Sequence, residues 1–255
     1  MRTRDFILLV MFKVRANLRS EIARDYLNYL WWVVEPILFM GVYYIVFGIL
    51  LKQGTDNFIP FLLIGLTAWQ WFANALTHSS TSIFNAQGIM RHIKINKIFF
   101  PLVTVFQDTI KNLIVFSLLL LFCVLYGLPV TIFWCFLPLL LIIQCLLVIG
   151  TCVLFSGLVP FFPDLRFMLN SGLFLLMCLS GVFFDIDRTF IPQHSVYVYL
   201  NPMAGLLKNY RLILLDGQPP DWGYLVLVGF GSLLLVICAS WLVNRFNHLY
   251  LRAIQ

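Results

Sequence analysis

Three ionisable side chains sit inside long apolar runs of this sequence: Glu35, Asp108 and Lys111. A charge facing lipid costs roughly 3 kcal/mol on insertion scales, so each is expected to face protein or a channel. Asp108 and Lys111 are three residues apart, which lets them pair on one helix face. With Glu35 they have the makings of a proton relay or of a structural ion-pair set. The built-in counter-charge favours the structural reading. Glu35 lies about six residues into its run, about 9 Å along a helix. It is expected to pair with Lys111 or Arg166, with Pro36 marking a kink beside it.

Uncharged polar residues form a second pattern. Thr67, Gln70, Asn74, Thr77, His78, Thr81 and Asn85 recur at three- and four-residue steps, so they make one stripe on a helix. Trp71 borders that stripe and Trp69 points elsewhere. Trp32, Phe39, Tyr43 and, at its edge, Phe47 form an aromatic stripe on the preceding run. Phe167, Ser171, Phe174, Cys178 and Gly181 share a face of a later one. Small and hydroxyl residues glue membrane helices together. The same residues suit a path for a neutral, hydroxylated substrate, because sugars need hydrogen-bonding edges and flat aromatic faces. The residues by themselves support both readings.

Other chemistry is excluded at the level of motifs. The sequence holds no HExxH, no GxSxG and no paired carboxylates with a nearby histidine. It also lacks a GxxxxGK[ST] loop, so any ATP must be hydrolysed by another chain. The six cysteines lie in apolar runs without metal spacing and read as packing residues. His78, His92, His194 and His248 are scattered and suggest no metal site.

The elements that position these residues are membrane helices. Of the 255 residues, 61% are hydrophobic and 11% charged, against about 25% charged in a soluble domain. Runs near 20 residues, long enough to cross a core of roughly 30 Å, recur along the chain. Six spans are expected, at about 29–51, 58–78, 100–126, 131–159, 166–184 and 223–243. The second is expected to continue as helix to about Gln87, and Pro138 to kink the fourth. "GLPV" joins the third and fourth as a tight helical hairpin. "FILLVMF" is short and is followed by Lys13, Arg15 and Arg19, unlike a cleavable signal peptide.

Twelve Lys and Arg residues fall on the side of the N-terminus and four (Lys52, Arg188, Lys208, Arg211) on the other. The positive-inside rule then puts both termini in the cytoplasm. The net charge of +6 is mostly this topology signal; no soluble basic face for nucleic acid is present. In residues 5–25, Ile7, Met11, Val14, Leu18 and Ile22 share one helical face, with Lys13, Asn17, Ser20 and Arg24 opposite and Arg15 and Arg19 flanking. That is the pattern of an amphipathic helix lying in the membrane interface. Residues 185–222 are too apolar for a plain external loop and suggest short helices re-entering the outer leaflet. The expected fold is all-α: six transmembrane helices, an N-terminal interfacial helix and short re-entrant helices between spans five and six.

Several stretches, in order, resemble the ABC-2 type permeases of bacterial polysaccharide exporters, which move O-antigen, capsule or teichoic acid. They are "YLWWVVEPIL", "IPFLLIGLTAWQWF", "IMRHIKINKIFFPLV", "FFPDLRFMLN" and "SGVFFDIDRTFIP...LNPM". The resemblance covers nearly the whole chain and implies a single transmembrane domain over 1–255: interfacial helix 1–25, spans one to five 29–184, periplasmic gate segment 185–222, and span six with its tail 223–255. It implies an inner-membrane homodimer working with two copies of a separate ATPase subunit, which binds ATP and Mg; this chain binds no cofactor. The cargo would be a lipid-linked polysaccharide, with O-antigen preferred over capsule or teichoic acid. A proton-coupled secondary transporter is the alternative. Two facing copies would bring Trp32, Phe39, Tyr43, Gln70, Trp71, Asn74 and Phe174 to a glycan channel. Arg91, His92 and Lys94 would contact the ATPase. Pro192, Asn201 and Pro202 would belong to the periplasmic gate, and Arg15, Arg19, Arg24 and Glu35 to the cytoplasmic entrance.

Overall fold

The computed structural model describes residues 3–24, 57–93, 95–189 and 199–250, with positions 34, 37, 38, 41, 42, 45, 46 and 49 from the first predicted span. Every regular element among the described residues is helical. The helices are α1 (Thr3–Arg24), α2 (Phe58–Ser80), α3 (Ser82–Asn85), α4 (Gln87–His92), α5 (Phe99–Leu125), α6 (Leu137–Leu158), α7 (Leu165–Leu179), α8 (Ile186–Thr189), α9 (Pro202–Leu214) and α10 (Trp222–Arg245), with a 3-10 turn at Ile132–Phe136. Four continuous stretches are long and apolar enough to cross a membrane: Phe58–His92, Phe99–Leu125, Ile132–Leu158 and Trp222–Arg245.

The predicted fifth span is shorter than expected. Helix α7 has 15 residues, about 22 Å, because Gly181 follows it in the left-handed region at φ 70°. A side chain there would be strained, and its Cβ would lie 2.6 Å from Ile186; glycine is the residue that ends a helix in this conformation. Pro138 does not kink the fourth span. It occupies the first turn of α6, directly after the 3-10 turn, where its missing N–H would have had no helical partner. The helix predicted to reach Gln87 extends to His92, broken at Thr81 and Ala86 into α2, α3 and α4. The "GLPV" hairpin is as expected: the Leu128 N–H bonds the Cys123 carbonyl and the Gly127 N–H that of Val124, which closes α5 in a Schellman motif.

Helix α2 is the centre of the bundle. Fifteen of its 23 residues are buried, against ten of 27 in α5 and five of 24 in α10. Helices α5, α6, α7 and α9 pack around it, and α10 lies along α6. The larger core joins residues of α2, α5, α6 and α9. A second core gathers Val10 and Val14 of α1, Ile83, Met90, Phe99, Val153, Val243 and Tyr250. The two ends of the described chain therefore share one end of the bundle with α3 and α4.

Helix α9 falls in the predicted gate segment but is no surface element: Leu206, Leu207, Tyr210, Ile213 and Leu214 are fully buried. Helix α1 turns Val10 and Val14 into the protein and leaves Ile7 and Met11 exposed together with Leu8 and Phe12. Asn17, assigned to the polar face, instead turns to α5. The reason is that α1 has apolar residues over more than half its circumference, so its own periodicity does not choose which part meets α5.

Candidate functional site

The polar stripe of α2 lies on the side that the described bundle leaves open. Asn74 and His78 are exposed, Asn85 of α3 is exposed, and Gln70, Thr77 and Thr81 are half-buried. Thr67 departs from this, being buried. So does Trp71, which was expected at the border of the channel. It is 3% exposed within the main core, because a step of about 100° from Gln70 carries it toward the other helices. Its indole Nε1 has no hydrogen-bond partner among the described residues, which fits a packing role. Phe167, Ser171 and Phe174 are exposed on α7, which buries only Leu169 and Leu173.

Asp108 and Lys111 do not pair with each other as their spacing suggested; each reaches a different helix. Asp108, 8% exposed, meets His78 Nδ1 of α2 through Oδ2 at 3.0 Å. Lys111 donates to Glu21 of α1 at 2.5 Å. Gln107 donates to the other Glu21 oxygen at 2.9 Å and accepts from Asn17 at 3.3 Å. One turn of α5 thus faces α2 with Asp108 and α1 with Gln107 and Lys111. Neither Glu21 nor Gln107 stood out in the sequence: Glu21 lies in a segment polar enough to read as interface, and Gln107 is an uncharged residue beside the charged Asp108. The half-buried Glu21–Lys111 pair is expected to contribute about 1 kcal/mol. Glu21→Gln should therefore raise amide hydrogen exchange in residues 10–21 several-fold and leave α2 unchanged; equal exchange in α1 would show that the tie does not hold it.

At the opposite end, capping chemistry organises the chain. Asn201 accepts from the Met203 N–H at 3.1 Å and donates to Ser180 Oγ at 2.6 Å, with Pro202 as the first residue of α9. Asp221 caps α10 through the Tyr224 N–H at 3.1 Å. The Tyr224 hydroxyl donates to the carbonyls of Tyr199 and Asn201 at 3.1 and 3.3 Å. Asp187 of α8 accepts from Tyr199 at 2.8 Å and pairs with Lys208 of α9 at 2.7 Å. Burial acts to raise the Asp187 pKa, but the Lys208 and Tyr199 partners outweigh it and hold the carboxyl below its ordinary value.

Arg211 of α9 links three elements. It is 8% exposed and donates to the carbonyls of Gly181 at 2.7 Å, Val182 at 2.9 Å and Phe61 at 3.3 Å. Its guanidinium also stacks 3.5 Å from the Phe61 ring centroid. In the sequence it counted only as an external loop charge. The missed signal is its setting: Leu207 and Leu214 lie four residues before and three after it, on its own helix face.

Helix α4 projects at the end shared with α1. Met90 anchors it in the second core, while Gly88, Ile89, Arg91 and His92 are exposed and Ile93 is exposed just after it. Arg15 and Arg19 are exposed on α1. Trp32, Glu35, Pro36, Phe39, Tyr43, Lys94 and Pro192, and the side chain of Arg24, lie outside the described residues, as does the proposed Glu35 pairing.

Comparison with known proteins agrees with this architecture. The sequence profile of the ABC-2 type transporter family matches residues 10–215. A protein called O-antigen export system permease protein RfbA, from Klebsiella pneumoniae, is 28% identical over 246 residues, covering 95% of this chain and 93% of that protein. A protein of the same name from Myxococcus xanthus is 23% identical over 233 residues, covering 91% and 90%. With the family profile spanning most of the chain and four helices fit to cross a bilayer, this protein belongs to the ABC-2 type transporter family.

Proposed function

We propose that this chain is the permease of an ATP-driven exporter that carries a lipid-linked polysaccharide, O-antigen, from cytoplasm to periplasm across the bacterial inner membrane. The observation that carries this reading is similarity to O-antigen export permeases along nearly the entire chain. The open, uncharged polar face of α2 supports it, since hydroxyl-rich cargo can exchange hydrogen bonds along such a face without being trapped by charge.

In this reading two copies face each other, because one protomer is too small to enclose a polymer. Gln70, Asn74 and Phe174, with Trp32, Phe39 and Tyr43 of span one, line the path; buried Trp71 supports it from behind. Arg15, Arg19, Arg24 and Glu35 flank the cytoplasmic entrance, and Pro192, Asn201 and Pro202 belong to the periplasmic gate. Both termini are cytoplasmic. Two copies of a separate ATPase subunit, holding ATP and Mg, dock on α4 through Arg91 and His92, with Lys94 beyond it.

Depleting the chain in its own cells is expected to remove O-antigen from the surface and leave lipid-linked polysaccharide inside, with recovery on re-expression. Unchanged surface polysaccharide, or export driven by a proton gradient without any ATPase, would overturn the reading. Arg91→Glu is expected to lower ATPase capture in a pull-down about tenfold without changing the amount of permease. Normal capture would move the docking site elsewhere.

A further inference from the structure

We propose that His78 and Asp108 form a hydroxyl-binding subsite on the open face of α2, with His78 contacting the passing glycan and Asp108 positioning its ring. This inference rests on reading that face as the glycan path. The two residues are divided by depth: the His78 side chain is 56% exposed and that of Asp108 8%. The contact runs through Nδ1 at 3.0 Å. A carboxylate at Nδ1 holds a proton there and turns Nε2, on the far edge of the ring, toward the open face, where it accepts from a hydroxyl when the ring is neutral and donates to one when it is protonated. A buried acid behind an exposed imidazole thus fixes the direction of Nε2.

The surroundings select the ligand. Asn74 lies one turn before His78, and Thr77 and Thr81 flank it, all on the stripe. Asn112, one turn beyond Asp108 on α5, is 8% exposed and its Nδ2 has no hydrogen-bond partner among the described residues. Among the described residues, the charges that act on the His78 ring besides Asp108 are Lys111 and Glu21, which bond each other across α1 and α5. A phosphate entering here would approach two carboxylates, Asp108 and Glu21, with Lys111 already engaged by one of them. A neutral sugar meets no such repulsion and can both donate to Nε2 and accept from the amides. The site therefore suits the glycan rather than the phosphate of its lipid anchor.

The test uses the permease–ATPase complex in proteoliposomes and the lipid-linked polysaccharide that accumulates when the chain is depleted. His78→Ala is expected to raise the polysaccharide concentration for half-maximal ATPase stimulation about tenfold, the effect of losing one hydrogen bond, with the maximal rate unchanged. His78→Gln should restore most of it, and Asp108→Asn should fall between. In the unmutated complex, polysaccharide should slow diethyl pyrocarbonate modification of His78 severalfold, read by mass spectrometry, while His92 and His248 stay unprotected. A sugar-free lipid phosphate should not protect. Unaltered half-saturation in His78→Ala, or unprotected His78 while the complex transports polysaccharide, would overturn the subsite and leave the transport reading intact. Protection by the sugar-free lipid would reassign the site to phosphate. Absence of any accumulated polysaccharide would remove the transport reading and this one together. The protection experiment needs no variant, so poor folding of His78→Ala does not leave the question open.

Discussion

Arg211→Met is expected to lower the stability of the folded permease by about 3–5 kcal/mol. The guanidinium serves the carbonyls of Gly181 and Val182, just past the end of α7, and of Phe61 in the first turn of α2. Methionine fills a similar volume and supplies no donor, so three acceptors lose a charged partner, each worth about 1–3 kcal/mol when buried. Lysine is not expected to rescue, because a single ammonium cannot span a fork of three carbonyls. The opposite wall makes an independent check: at Gly65 a Cβ would sit 2.5 Å from Arg211 Nη2, so Gly65→Ala should show the same defect. In detergent, thermal unfolding followed by size exclusion should drop by about 10 °C for both. An unshifted midpoint in Arg211→Met would mean that the three carbonyls are satisfied without it.

Trp71→Ala is expected to lose folded protein, and with it export. Trp71 is 3% exposed among core residues of α2 and its neighbours, and removing a buried tryptophan costs about 3–5 kcal/mol. Asn74→Ala, one turn away on the exposed face, should instead leave the unfolding midpoint within about 1 °C and reduce surface polysaccharide per molecule of permease. The pair separates packing from path on one helix. A Trp71→Ala protein of normal stability with impaired export would return Trp71 to the path.

These two residues also mark where the sequence stopped being legible. The three- and four-residue spacing placed Gln70, Asn74 and His78 on one side of α2, because helical geometry is local. Spacing puts Trp71 only 100° from Gln70, and whether that border is open or covered depends on which helices pack there. Arg211 is read by charge counting as a residue of the outside; only the positions of Phe61, Gly181 and Val182, distant in sequence, make it a buried link. Asp108 and Lys111 carried a similar ambiguity. Their three-residue spacing permits an ion pair, yet partners on α2 and α1 approach each of them at better geometry and divide them.

Composition and period alone determined that this chain is a bundle of apolar helices with a polar face on one of them, and ordered motifs brought it to its transporter family. Those properties follow from local rules: backbone groups in lipid must bond within a helix, and side chains repeat every 3.6 residues. Tertiary structure decided which face of α1 meets α5, that residues 202–214 are core, that α7 ends at Leu179, and that His78 stands in front of Asp108. Each depends on contacts between residues 30 or more positions apart or on a single left-handed glycine against its neighbour Ile186. No helical period encodes such contacts, because they arise only when the helices are packed together.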